Sequence, residues 1–189
     1  MLSKSQLLAV WQCRRRLWLE ANRPDLRIYS TGTRRRFDQG HQLNALVRRL
    51  YPDGALVDEN APLPIALEST ADHLARSPQR PLFEAAFSQH GVHIRADMFC
   101  RGADGYELTE FKSSTRVKPY HLLDCAVQHW VICAAGYPID RTFLAHVDTR
   151  FVYRGDDDYS GLMHHVDVSE RIAELIPDIP GLVAEGFHT

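Results

Sequence analysis

Three residues within the stretch 94–114, IRADMFCRGADGYELTEFKSS, have the types needed to cut a phosphodiester: Asp97, Glu110 and Lys112. Two carboxylates can hold a hard divalent cation, which prefers oxygen ligands and lowers the pKa of a bound water. A lysine beside them can orient that water and offset charge in the transition state. The chemistry needs all three side chains on one surface, so the elements that carry them decide the reading.

Spacing supplies that surface. Residues 92–100 and 106–112 read as strands, with Gly102-Ala103-Asp104-Gly105 as the turn signal between them. Glu110 and Lys112 are two residues apart and share a face. A two-residue loop at Ala103-Asp104, or a four-residue loop over 102–105, sets Asp97 opposite Glu110 with Cβ atoms roughly 5 Å apart. Moving the loop to Asp104-Gly105 sets Asp97 opposite Lys112, still on that face. Only an odd loop or a bulge separates them, because one residue of slip reverses the face. The plain alternative is an exposed ladder of paired charges, worth little energetically.

Around the hairpin, residues 3–22 read as a helix capped by Ser3, with Leu7, Leu8, Trp11, Leu17 and Trp18 as its apolar positions, ended by Pro24. Trp11 and Trp18 are expected in the core. Residues 34–50 read as a second helix with the stripe Leu43, Leu46, Val47 and Leu50. His41 falls about 170° from that stripe, toward solvent or a cleft. A short helix is expected over 69–75 and a first strand over 82–88. A strong helix over 120–135 carries Leu122, Leu123, Ala126, Val127, Trp130 and Ala134, with Gln128 off that stripe beside Asp124 and His121. Strands are expected at 142–147 and 151–153, a surface turn at Asp156-Asp157-Asp158, and a last helix over 169–175 before a Pro-rich tail. This order gives an α/β chain, a central mixed sheet with helices on both faces.

Composition bounds the function. At 189 residues the chain is most simply one domain with a full core, and 44% hydrophobic with 24% charged residues is ordinary for a globular protein. No apolar run reaches about 20 residues, so no membrane span is expected. The N-terminus lacks the order of a signal peptide, its basic residues following its apolar patch, and a cytoplasmic location fits. Cys13, Cys100, Cys125 and Cys133 form no C-x-x-C pair and read as free thiols. Residues 1–36 hold nine Lys/Arg against Glu20 and Asp25, a local charge of +7, which leaves −9 on the rest of a chain of net charge −2. That asymmetry is a footprint for a polyanion, or a solvated basic helix.

Gly40-His41 on an early helix, Asp97, Glu110-Phe111-Lys112 and Gln128 on the following helix together resemble the PD-(D/E)XK nuclease superfamily. The closer likeness is to its RecB-type and CRISPR-associated exonuclease branch. The frame FEAAF…VHIRADMF…YELTEFKSSTRVK…LLDCAVQHWVI…FLAHVDTRFVYRG also resembles an uncharacterised bacterial family within it. The likeness runs from about residue 2 to about 168. It implies a restriction-endonuclease-like core and hydrolysis of DNA, single-stranded or with free ends, with Mg²⁺ or Mn²⁺. It implies Asp97, Glu110, the Phe111 carbonyl and His41 as metal ligands, with Lys112 and Gln128 serving the water or the phosphate. A histidine ligand suits Mn²⁺ better than Mg²⁺. Arg34, Arg35, Arg36, Arg116 and Lys118 are candidate phosphate contacts, as are Arg14, Arg15 and Arg16. Glu84 is either a further acidic member of the site or an edge-strand charge, and Tyr120 and His121 are expected to be structural. Two departures stand out. Ile132 occupies the place of a tyrosine found four residues after the glutamine in many relatives. The iron–sulfur cysteines of the CRISPR-associated branch have only Cys13 as a counterpart, so no cluster is expected. A rival reading is a catalytically silent nucleic-acid-binding module on the same fold.

Overall fold

Alternating burial along the middle of the chain builds one mixed sheet. The computed structural model describes residues 1–189 apart from the side chains of residues 36–38. The strands are β1 (Leu2–Ser3), β2 (Ala55–Leu56), β3 (Leu82–Gln89), β4 (Val92–Arg101), β5 (Tyr106–Lys112), β6 (Ile139–Val147) and β7 (Met163–Asp167). Their order is β2-β3-β4-β5-β6-β7, with β1 laid parallel on β4. The antiparallel β3–β4–β5 meander continues through a parallel β5–β6 pair, whose crossover is the helix α5 (Pro119–Ala134). A helical crossover is what a parallel neighbour requires.

Two apolar layers cover the sheet. On one face Phe87, Ile94, Phe99, Leu108 and Leu144 pack with Leu123, Val127 and Val131 of α5. On the other, Leu43 and Val47 of α3 (Thr31–Leu50) pack with Phe83, Met98, Phe111, Ala145 and Met163. The helix α4 (Leu63–Arg76) is stitched to β3 by Thr70, whose Oγ1 donates to the Ala66 carbonyl and accepts the Ala86 N–H. Tight turning between β3 and β4 uses His90 and Gly91 at positive φ, and a Cβ on Gly91 would meet the Phe187 ring at 2.7 Å.

Several expected elements shift. The first helix breaks at Cys13 into α1 (Lys4–Gln12) and α2 (Arg14–Asn22), because Cys13 is extended, at φ −171°. Trp11 and Trp18 are half-exposed rather than core, since each short helix buries only one side, through Leu7, Ala9 and Val10 on the first and Leu17 on the second. Residues 151–153 form no strand, and the second neighbour of β6, beside β5, is β7. The Pro-rich tail contains a turn of 3₁₀ helix and the apolar α7 (Ile179–Phe187), after the short α6 (Ser169–Ala173). Pro180 falls within the first turn of α7, where its missing N–H costs nothing. All four cysteines are free.

Candidate active site

The hairpin has the register its turn predicts, Met98 opposite Thr109 and Arg101 opposite Tyr106, closed by Gly102 N–H to the Gly105 carbonyl at 2.8 Å. Continued by one residue, that register sets Asp97 against Glu110. On the other side of β4, pairing with β3 runs through Phe83↔Met98 and Ala85↔Ala96, so Glu84 and Asp97 fall between paired residues. Glu84 sits there at φ 55°, a conformation costly for a non-glycine residue. The irregularity lets Asp97 turn to the β5 backbone, where its Oδ2 accepts the Phe111 N–H at 2.8 Å.

Glu110 is the hub. It is buried, and alternation along β5 sends it toward α5 while Phe111 faces α3. Lys112 Nζ donates to Glu110 Oε1 at 2.5 Å and to Asp124 Oδ2 at 2.6 Å. Gln128 Nε2 donates to Glu110 Oε2 at 2.9 Å and to Asp124 Oδ1 at 3.2 Å. Lys4, the first residue of α1, donates to both Glu110 oxygens at 3.2 and 3.4 Å and lies 3.1 Å from Asp124 Oδ1. Sequence reasoning thus brought Asp97, Glu110, Lys112 and Gln128 together but missed Asp124 and Lys4. Asp124 carried a signal, since it and Gln128 are four apart on one helix face. Lys4 carried none, lying 106 residues from its partner.

Charge explains the arrangement. Three carboxylates face two ammonium groups. Burial, then the neighbouring Glu110, push the Asp97 carboxyl up to about 8. Burial also opposes ionisation of Asp124, but Lys112 and Lys4 outweigh it and hold that carboxyl below the ordinary range. Burial would lower both lysines, yet Asp124 and Glu110 raise them instead. Glu84 is half-buried on a strand flanked on both sides, so it is no edge charge. Burial, Glu59 and Glu110 raise its carboxyl. His121 is buried and its Nδ1 accepts the Lys118 N–H at 3.3 Å, leaving a neutral ring that burial and Lys112 lower to about 4.

The donor set fits one kind of ion. Among the described residues no three of His, Cys, Asp and Glu converge as a ligand group. Asp97 and Glu110 bring two carboxyl groups together on adjoining strands, oxygen ligands of the kind a hard cation takes. That suits an ion of the Mg²⁺ type, bound through one or two carboxylates and its own waters. Gln128 Oε1 is buried and has no hydrogen-bond donor in the protein. His41 is exposed on α3, and no contact joins it to the cluster among the described residues. Its helix packs on the opposite face of the sheet, so the implied histidine ligand is not assembled.

The candidate phosphate contacts divide by partner. Arg116 is exposed and Lys118 half-exposed in the segment that leads from Lys112 to α5, with Lys118 Nζ 5.7 Å from the Tyr120 ring centre. Arg34 and Arg35 are exposed on α3, while the Arg36 side chain lies outside the described residues. Arg14 pairs with Glu185 and Arg16 with Glu20, so the N-terminal triplet is partly spent within the protein.

The fold and site define an α/β protein with a mixed sheet and a largely buried ionic cluster where β4 and β5 part. No family model matches the chain, and no curated protein does. Among solved structures it is similar to the crystal structure of SSO0001, at 14% identity over 96% of this chain and 75% of that one, with a TM-score of 0.40. So loose an overlap carries no function across.

Proposed function

We propose that this chain is a metal-dependent nuclease that hydrolyses DNA phosphodiester bonds, acting in the cytoplasm in repair, recombination or defence. One observation carries the reading: Glu110 receives Lys112 and Gln128 on separate oxygens beside the half-buried Asp97. Asp97 and Glu110 would hold Mg²⁺ or Mn²⁺. The ion, when bound, supplies Lewis acidity toward water and a phosphate oxygen. The chain's own residues do the rest. Asp124 anchors the Lys112 ammonium, which offsets charge on the phosphate as its bond breaks. Gln128 fixes the Glu110 carboxylate and offers its free Oε1 to a water. Arg116 and Lys118, on the adjoining segment, hold the strand by its backbone without reading sequence. The preference for DNA with a free end rests on the likeness of the motifs.

End-labelled single- and double-stranded DNA incubated with Mn²⁺, Mg²⁺ or EDTA tests this. Metal-dependent cleavage that vanishes in folded Asp97→Ala and Lys112→Ala proteins supports it, and cleavage that survives both substitutions rejects it. A second reading has its own support. Lys4 and Lys112 already neutralise Glu110 and Asp124, so the cluster stands without a cation, as a silent nucleic-acid-binding module would require. DNA binding in EDTA, with no cleavage in any metal, selects that reading.

A further inference from the structure

We propose that Lys4 is an internal cation that holds the place of the metal at Glu110, so that metal loading requires its ammonium to let go. The inference rests on the nuclease reading and adds a residue that nothing in the motif contains. Lys4 touches both oxygens of Glu110, at 3.2 and 3.4 Å, and its side chain is only 18% exposed. A divalent ion shared by Asp97 and Glu110 needs one of those oxygens. All three partners of Glu110 also reach Asp124, Lys4 at 3.1 Å, but Lys112 and Gln128 hold Glu110 at 2.5 and 2.9 Å whereas Lys4 makes the longest contacts, 3.2 and 3.4 Å. Lys4 is the removable partner.

The placement is built in. β1 pairs parallel with the start of β4, Leu2 with Val92 and Ser3 with His93, on the edge that β5 uses only from Met98 onward. Leu2 N–H is held by the Gly91 carbonyl at 2.8 Å. Ser3 then turns the chain with a reciprocal cap, its side chain on the Gln6 N–H and the Gln6 side chain on its own N–H. The Lys4 backbone is therefore fixed at the mouth of the opening between β4 and β5. Its four-carbon stem is the part free to move. Lys112 repels it across the shared carboxylates, so the contact is held against a like charge. Held there, the ammonium keeps the metal-free cluster intact and competes with any cation that enters.

Mn²⁺ binding to metal-free protein, read by electron paramagnetic resonance and by the shift in melting temperature, tests this without turnover. Lys4→Met keeps the stem and removes the charge, and is expected to bind Mn²⁺ at least about tenfold more tightly, a gain of roughly 1.4 kcal/mol. Mn²⁺ should also raise its melting temperature more than that of the wild type. Lys4→Arg retains the charge and should gain nothing. Affinity in Lys4→Met equal to or weaker than wild type, with Asp97→Asn abolishing binding, overturns this inference and leaves the nuclease reading standing. No Mn²⁺ bound by either protein overturns both. If Lys4→Met unfolds without metal, refolding on Mn²⁺ addition, followed by circular dichroism, supports the role, and failure to refold rejects it.

Discussion

The two faces of the sheet are built from adjacent residues and do opposite work. Glu110 looks toward α5 into an ionic network, and Phe111, the next residue, looks toward α3 into an apolar layer with Leu43, Val47, Met98 and Met163. The apolar face holds no charged side chain among the buried members of its cluster. The ionic face is buried nearly as well, yet spends its interactions on compensating charge. Buried ion pairs gain little net stability over apolar packing, while removing one partner is costly. The comparison teaches that net stability comes chiefly from the α3 face and its counterpart around Phe99, whereas the network adds little to it and is costly to break.

Breaking the ionic face should have the largest effect. Glu110→Ala leaves Lys4 and Lys112 facing each other with only Asp124 between them. It is expected to abolish cleavage and to cost about 3 kcal/mol of stability, read by urea unfolding at constant slope. Loss of activity without loss of stability would mean that the network relaxes freely. Breaking the apolar face should separate the two roles. Phe111→Ala removes a buried ring, costing about 3–5 kcal/mol, but leaves the backbone N–H that Asp97 accepts. The folded fraction should keep its Mn²⁺ affinity, and a matching loss of affinity would show the faces to be coupled.

Titration sharpens the same contrast with a smaller effect. His121 sits buried at the start of α5 with its pKa lowered from 6.5 to about 4. A depressed folded value means that its contribution is present above pH 6.5 and is lost as pH falls toward 4. The melting temperature of metal-free protein should decline over that window, and His121→Gln should flatten the decline. An unchanged slope in the variant would assign the acid sensitivity elsewhere. The smallest effect is expected at His41. His41→Ala should alter Mn²⁺ affinity less than about twofold, since a side chain exposed to water and remote from a charge contributes little. A loss of about tenfold or more would place His41 in the metal site after all, and α3 with it.

Much of this was legible because it is local. The even-length turn after Arg101 sets the register of β4 and β5, and alternation on β5 sets which face Glu110 and Lys112 share. The 3.6-residue period of 119–134 puts Asp124 and Gln128 on one side of α5. Trp11 and Trp18 misled, because hydrophobic type alone cannot say whether a helix has one covered side or two. Residues 151–153 misled for a similar reason: a strand exists only where a neighbour accepts its hydrogen bonds, and β6 takes 163–167 instead.

By itself the sequence determined the hairpin, the main helices and the placing of Asp97, Glu110, Lys112 and Gln128 in one site. These follow from periodicity and turn chemistry, which act over a few residues. Only the tertiary structure decided that Lys4 enters that site, that Glu84 bends the strand beside Asp97, and that His41 stays outside. Those outcomes depend on which strand edge β1 finds, where the β3–β4 ladder skips, and which face α3 covers. They are long-range packing choices, set by burial and pairing across the fold rather than by any spacing along the chain.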